Sequence, residues 1–196
     1  MKKGIIIVVS ILCVIGLATA GIFVVASKGL LSHHEAKGLI LYGTDEQLQA
    51  DLETEEASTT YSYETKVKIV DEQLLVIREK DMKEFCEKQI VNQVDANDQC
   101  TPVANIESAE DKPVYYAKDA KENVTIDGKT LEVTAAEDYI IGNGRIFQNG
   151  YLVVSDSQYD EIQAEETGML VLNLNKAADK EIGQCQFNQV QLIDIP

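Results

Sequence analysis

The chain has 196 residues, 45% of them hydrophobic, and it carries 33 Asp and Glu against 17 Lys and Arg. Three of those basic residues and none of the acids fall in the first 31 positions, so residues 32–196 hold 14 basic and 33 acidic residues, a net charge of −19. Such a surface repels phosphate backbones, which excludes nucleic acid as a partner; it either serves solubility alone or steers cationic ligands inward.

Residues 1–3 are a short basic start, and Gly4 to Ala26 follow without a charge. At 1.5 Å per residue this run is long enough to cross a hydrocarbon core of about 30 Å as one transmembrane helix. Lys2 and Lys3 before it favour a cytoplasmic N-terminus and an extracytoplasmic remainder, a single-pass topology in the cell membrane. A cleaved signal peptide is the competing reading, because Ala18-Thr19-Ala20 has the form of a processing site. The apolar run continues past that site to Ala26 and favours an anchor. Leu12 stands before Cys13 where a lipid-attachment site needs a small residue, so lipidation at Cys13 is not expected.

Residues 27–37 read as a tether, and residues 38–196 as one extracytoplasmic domain with no low-complexity linker. Leu39–Leu41 is a short apolar strand. Thr44 and Gln47 form a capping-box pair that opens a helix to about Leu52. Thr59–Val70, rich in Thr, Tyr and Val, predicts one or two strands. LLVIREKDMKEF (74–85) is a strand followed by an acidic helix start, and YLVVSDSQYDEI (151–162) repeats it 77 residues later. Leu75, Val76 and Glu84 recur as Leu152, Val153 and Glu161. Both strands should be buried, each leading straight into a helix capped near Glu79 and Ser155. Asp127-Gly128 predicts a type I′ hairpin with Val124, Ile126, Leu131 and Val133 on its core face. Residues 168–174 form another buried strand, and 187–195 the last. The fold class is α+β, a largely antiparallel sheet with short helices.

Catalytic signatures are missing. There is no GxSxG, HExxH or phosphate-binding loop, and the two histidines, His33 and His34, lie in the tether. A histidine-activated nucleophile inside the domain is therefore unavailable, and the chain is not expected to be an enzyme or to need a cofactor or metal. Asp95, Asn97 and Asp98 resemble the start of a calcium loop but lack its Gly and terminal Glu, which leaves a solvated loop. Of the domain's three cysteines, Cys86 and Cys100 close the shorter loop and form the candidate disulfide. Tyr61, Tyr63, Tyr115, Tyr116 and Tyr139 are either half-buried strand residues or an aromatic recognition surface.

The order of elements resembles the large extracytoplasmic domain of FtsX-like ABC transporter permeases linked to bacitracin and other antimicrobial peptides. Val153, Val154, Ser155, Asp156 and Tyr159 match a late strand–cap–helix segment of those bacterial domains, and Val76, Ile77, Glu79 and Met82 match an earlier one. The resemblance implies a membrane-anchored binding or sensing module. Its implied partners are an ABC transporter ATPase or permease subunits, a sensor kinase and a cationic peptide ligand. Such permeases have about ten membrane helices and this chain has one apolar span, so transport by the chain alone is not expected. The family supplies no catalytic residue. The alternative is a non-catalytic structural or regulatory subunit of an envelope complex.

Overall fold

The computed structural model describes residues 36–71, 73–144 and 148–195. The apolar run 4–26, Cys13, the histidine pair and most of the tether lie outside the described residues. Among those described, no helix is long and apolar enough to cross a membrane.

Thirteen strands and three α-helices are described. Eight strands form one sheet in the order β13-β1-β12-β2-β3-β11-β6-β9, where β1 is Gly38–Gly43, β2 Thr59–Val70, β3 Leu74–Arg78 and β6 Val114–Ala117. In the same sheet β9 is Thr134–Ala136, β11 Gly150–Val154, β12 Glu165–Leu174 and β13 Gln189–Ile193. The pairs β3–β11 and β6–β9 are parallel and the others antiparallel. A second sheet joins β10 (Tyr139–Ile141), β4 (Val91–Val94) and β5 (Cys100–Pro102), and β7 (Asn123–Ile126) with β8 (Lys129–Glu132) forms a separate hairpin. The helices are α1 (Asp45–Glu55), α2 (Glu79–Glu87) and α3 (Asp156–Glu161). The α+β expectation holds for the described domain.

The period-2 alternation of the strands divides the core between two faces. Ile40, Tyr42, Leu75, Ile77, Tyr151, Val153, Met169 and Val171 pack with Met82 and Phe85 of α2 on one. On the other, Leu39, Leu41, Leu170 and Leu172 pack with Leu48 of α1, while Leu74, Val76, Leu152 and Val154 pack with Tyr159 of α3.

The repeated segments are adjacent parallel strands, but their structural register is offset by 76 residues: Leu75 lies beside Tyr151 and Val76 beside Leu152. The 77-residue sequence match therefore aligns Leu75 with Leu152, which point to opposite faces. A shift of one residue reverses the face of every side chain. That is why the same strand–helix grammar sends α2 to one side of the sheet and α3 to the other. Ser155 caps α3 as expected, with a reciprocal bond from Gln158. The start of α2 differs. Its N-cap is Arg78, whose side chain makes no capping bond, and Glu79 is the first helical residue. Glu79 instead accepts the Ala109 N–H at 2.9 Å and fixes the loop that precedes β6.

The hairpin follows its sequence closely. Asp127 and Gly128 both have positive φ, 48° and 71°, as a type I′ turn requires, and Ile126 faces Lys129 while Val124 faces Leu131.

Candidate functional site

A concavity lies where the hairpin meets α3, and both of its walls are positioned by identifiable contacts. Arg78 and Lys68 hold α3. Lys68 lies on the face of β2 that meets Val76, and only 8% of it is exposed. Its Nζ donates to the carbonyls of Tyr159 at 2.6 Å and Ile162 at 2.8 Å at the end of α3, where the Tyr159 carbonyl otherwise accepts only the Ile162 N–H at 3.3 Å. The same ammonium lies 4.3 Å from the centroid of the Tyr159 ring, and the Arg78 guanidinium 3.6 Å from it. Arg78 also pairs with Asp156 at 3.4 Å and Asp160 at 3.8 Å, on the outer side of α3. The Tyr159 ring is fully buried, and its hydroxyl donates to Glu166 at 3.3 Å. Two cations against one aromatic face suit the ring quadrupole, and the surrounding acids offset their charge.

The opposite wall is the hairpin, seated on the same core by Ile126 and Val133, with Val124 and Leu131 packed at its margin. Between hairpin and helix runs an open groove of about 380 Å³. Its apolar lining is Ile126, Leu131 and Ile162. Asp127, Lys129 and Thr130 line it from the hairpin, and Gln158, Glu161 and Gln163 from the helix side. Two carboxylates against one ammonium give the lining a net negative charge. No serine, cysteine or histidine is among these residues, and no described cluster of His, Cys, Asp and Glu could hold a metal ion. The arrangement can bind an amphipathic cation. It has no nucleophile–base pair.

Several expected features separate in space. No disulfide joins Cys86 to Cys100. Cys86 is buried on α2, where desolvation pushes its thiol up to about 11, while Cys100 is exposed on β5, an edge strand of the smaller sheet. Their proximity in sequence is cancelled because one thiol turns into the core and the other to solvent. The tyrosines do not form one recognition surface. Tyr116 is buried and stacks on Tyr139 at 4.6 Å, Tyr61 and Tyr63 pack beside α2, and Tyr115 lies on the opposite face of the sheet. Tyr63 and Thr65 donate to the buried Asp81 at 2.7 Å each, and Tyr61 donates to Glu84 at 2.9 Å, which ties β2 to α2. Asp95 accepts from the backbone N–H groups of Asn97 and Gln99, both at 2.8 Å, so the acidic loop is occupied with its own turn.

The chain belongs to an uncharacterised lipoprotein family, whose model matches residues 36–196. Its fold is similar to that of a crystal structure described as a candidate lipoprotein from Bacillus anthracis, with a TM-score of 0.70 at 17% identity over 82% of this chain and 100% of that one. At that identity the likeness shows the fold alone. No curated protein matches the sequence.

The family overturns the resemblance to FtsX-like permeases. The segments that carried it, around Val76 and Val153, are generic strand–cap–helix units, and such units recur in unrelated folds. The role read from that resemblance, the ligand-facing domain of an antimicrobial-peptide permease, is corrected with it. What the family establishes is a lipoprotein class, extracytoplasmic and membrane-anchored, in place of a permease subunit.

Proposed function

We propose that this protein is a non-catalytic binding module, held at the outer face of the membrane by its N-terminal segment, that takes a short basic amphipathic segment into the groove between the β7–β8 hairpin and α3. The observation that carries the reading is the groove itself. It sets apolar Ile126, Leu131 and Ile162 beside acidic Asp127 and Glu161, on a domain whose residues 32–196 carry a net charge of −19. Apolar side chains of the ligand would remove those three residues from water, which supplies affinity. Its cations would meet the carboxylates, and the field of the whole domain would steer the encounter. The family's lipoprotein class supports the placement outside the cell, and the apolar run 4–26 is the part of the chain suited to hold it at a membrane.

The test is a salt titration of association between a peptide of alternating lysine and leucine and the full chain in zwitterionic nanodiscs, with empty nanodiscs as control. The Debye length falls from ~30 Å at 0.01 M to ~8 Å at 0.15 M, so the association rate should drop steeply over that range. Binding with a salt-independent on-rate would remove the electrostatic part of the reading, and absence of binding at the lowest salt would remove it altogether.

A further inference from the structure

Residues 175–188, between β12 and β13, cross α1 in two short 3-10 turns, Ala178–Lys180 and Ile182–Gln184. Ala178, Ile182, Cys185 and Phe187 pack there on Leu48 and Leu52 of α1. The segment also holds the point where the chain enters the domain, because the Ala178 N–H donates to the Ala36 carbonyl at 2.9 Å.

Two carboxylates of α1, one turn apart, fasten this segment. Asp51 and Glu55 are each only 1% exposed. Asp51 Oδ1 accepts the Gln186 N–H at 2.6 Å. Lys176 Nζ lies 2.9 Å from Glu55 and 2.9 Å from Glu181. Glu55 on its own helix and the Cys185 thiol on the crossing segment interact electrostatically with Asp51, and Glu55, Glu181 and Lys176 surround the same thiol. Glu55 and Glu181 share the Lys176 ammonium. Asp51 Oδ2 is buried and accepts no hydrogen bond. A buried ionised oxygen without a donor is unfavourable, and its protonation removes that cost.

We propose that residues 175–188 form a pH-responsive strap, clamped on α1 while Asp51 is protonated and loosened when Asp51 ionises, so that acidification stiffens the joint between domain and tether. Burial is the main cause that raises the Asp51 pKa above its ordinary 3.8, with the Glu55 charge adding to it and the Gln186 N–H opposing it. A carboxyl with a raised native pKa gives a contribution that is complete below the ordinary value. It is lost as the pH climbs through the raised one.

Hydrogen exchange of peptides spanning 175–188 in the full chain reads the strap directly. At about pH 7.5, Asp51→Asn should slow strap exchange by roughly fivefold or more, the scale set by an unpaired buried polar group. At about pH 4 the difference should be smaller, because wild-type Asp51 is then more fully protonated. Lys176→Met should speed strap exchange at about pH 7.5 by removing the shared cation, and it decides the matter if Asp51→Asn fails to fold. An Asp51→Asn effect of equal size at both pH values, or strap exchange unchanged in Lys176→Met, overturns the proposal.

Discussion

Tyr159→Ala should lower the melting temperature by about 10 °C and abolish ligand capture at the groove. Truncating a fully buried aromatic costs about 3–5 kcal/mol, and in a domain of this size each kcal/mol corresponds to about 2–4 °C. Tyr159 sits at the upper part of that range for a specific reason. Its ring is the apolar contact that α3 makes with Val76, Leu152 and Val154, and it is the surface against which Lys68 and Arg78 rest. Alanine leaves a cavity beneath α3 and two cations without their aromatic partner. The helix has only six residues, too few to persist without tertiary packing. The wall formed by Gln158, Glu161 and Ile162 should then be lost while the β1–β13 end of the sheet stays folded. Thermal unfolding together with hydrogen exchange of residues 155–163 measures both effects. A variant with unchanged melting and protected α3 amides would show that Tyr159 does not seat the helix.

Lys68→Met is expected to cost about 2–3 kcal/mol although methionine is more hydrophobic. Replacing a buried charge by an apolar side chain is often neutral when its partners leave with it. Here they stay. The Tyr159 carbonyl keeps only the weak 3.3 Å bond from the Ile162 N–H, the Ile162 carbonyl loses its lysine donor, and a carbonyl left unsatisfied out of water costs about 1–3 kcal/mol. The two substitutions should also couple, because they remove the same contact. The double variant should unfold at less than the summed cost, with a coupling of about 1 kcal/mol or more. Denaturant titration of the single and double variants checks this. Strict additivity would mean that the lysine and the ring act independently.

How much of this was legible in the sequence varied with the kind of signal. Local signals worked where the chemistry is local. Asp127-Gly128 set the hairpin turn and its register, and Ser155 with Gln158 set the start of α3. Thr44 and Gln47 did the same for α1, which runs on to Glu55, three residues past the expected end. The repeat was visible, but its meaning was not. A 77-residue match and a 76-residue register differ by one position, and only the pairing of β3 with β11 shows that equivalent residues face opposite ways. Lys68 was missed because alternation along TKVKIV places it with residues that face water, whereas α3 covers that face near the end of the strand. Asp51 and Glu55 were missed for the converse reason. On an acidic helix every carboxylate looks solvated until a distant segment such as 175–188 is seen to cross it. The spacing of Cys86 and Cys100 says nothing of which way each thiol points, and the structure sets Cys86 in the core and Cys100 at the surface. The short motifs near Val76 and Val153 likewise reported a supersecondary unit, which is shared by families with different roles.

The groove assignment rests on named side chains, and one titration decides it. Fluorescence anisotropy of a labelled lysine–leucine peptide should be measured against the full chain in nanodiscs at low salt, for wild type and for Leu131→Lys with Glu161→Lys. Leu131 is only half buried and Glu161 is exposed, so the double variant should fold, which its thermal melt verifies. It places cations in the apolar lining and removes one carboxylate. Affinity should fall at least roughly tenfold, the equivalent of about 1.4 kcal/mol, as expected for introduced like-charge repulsion at a binding surface. Equal affinity for the folded double variant and wild type would place the binding elsewhere and contradict the assignment of the hairpin–α3 groove.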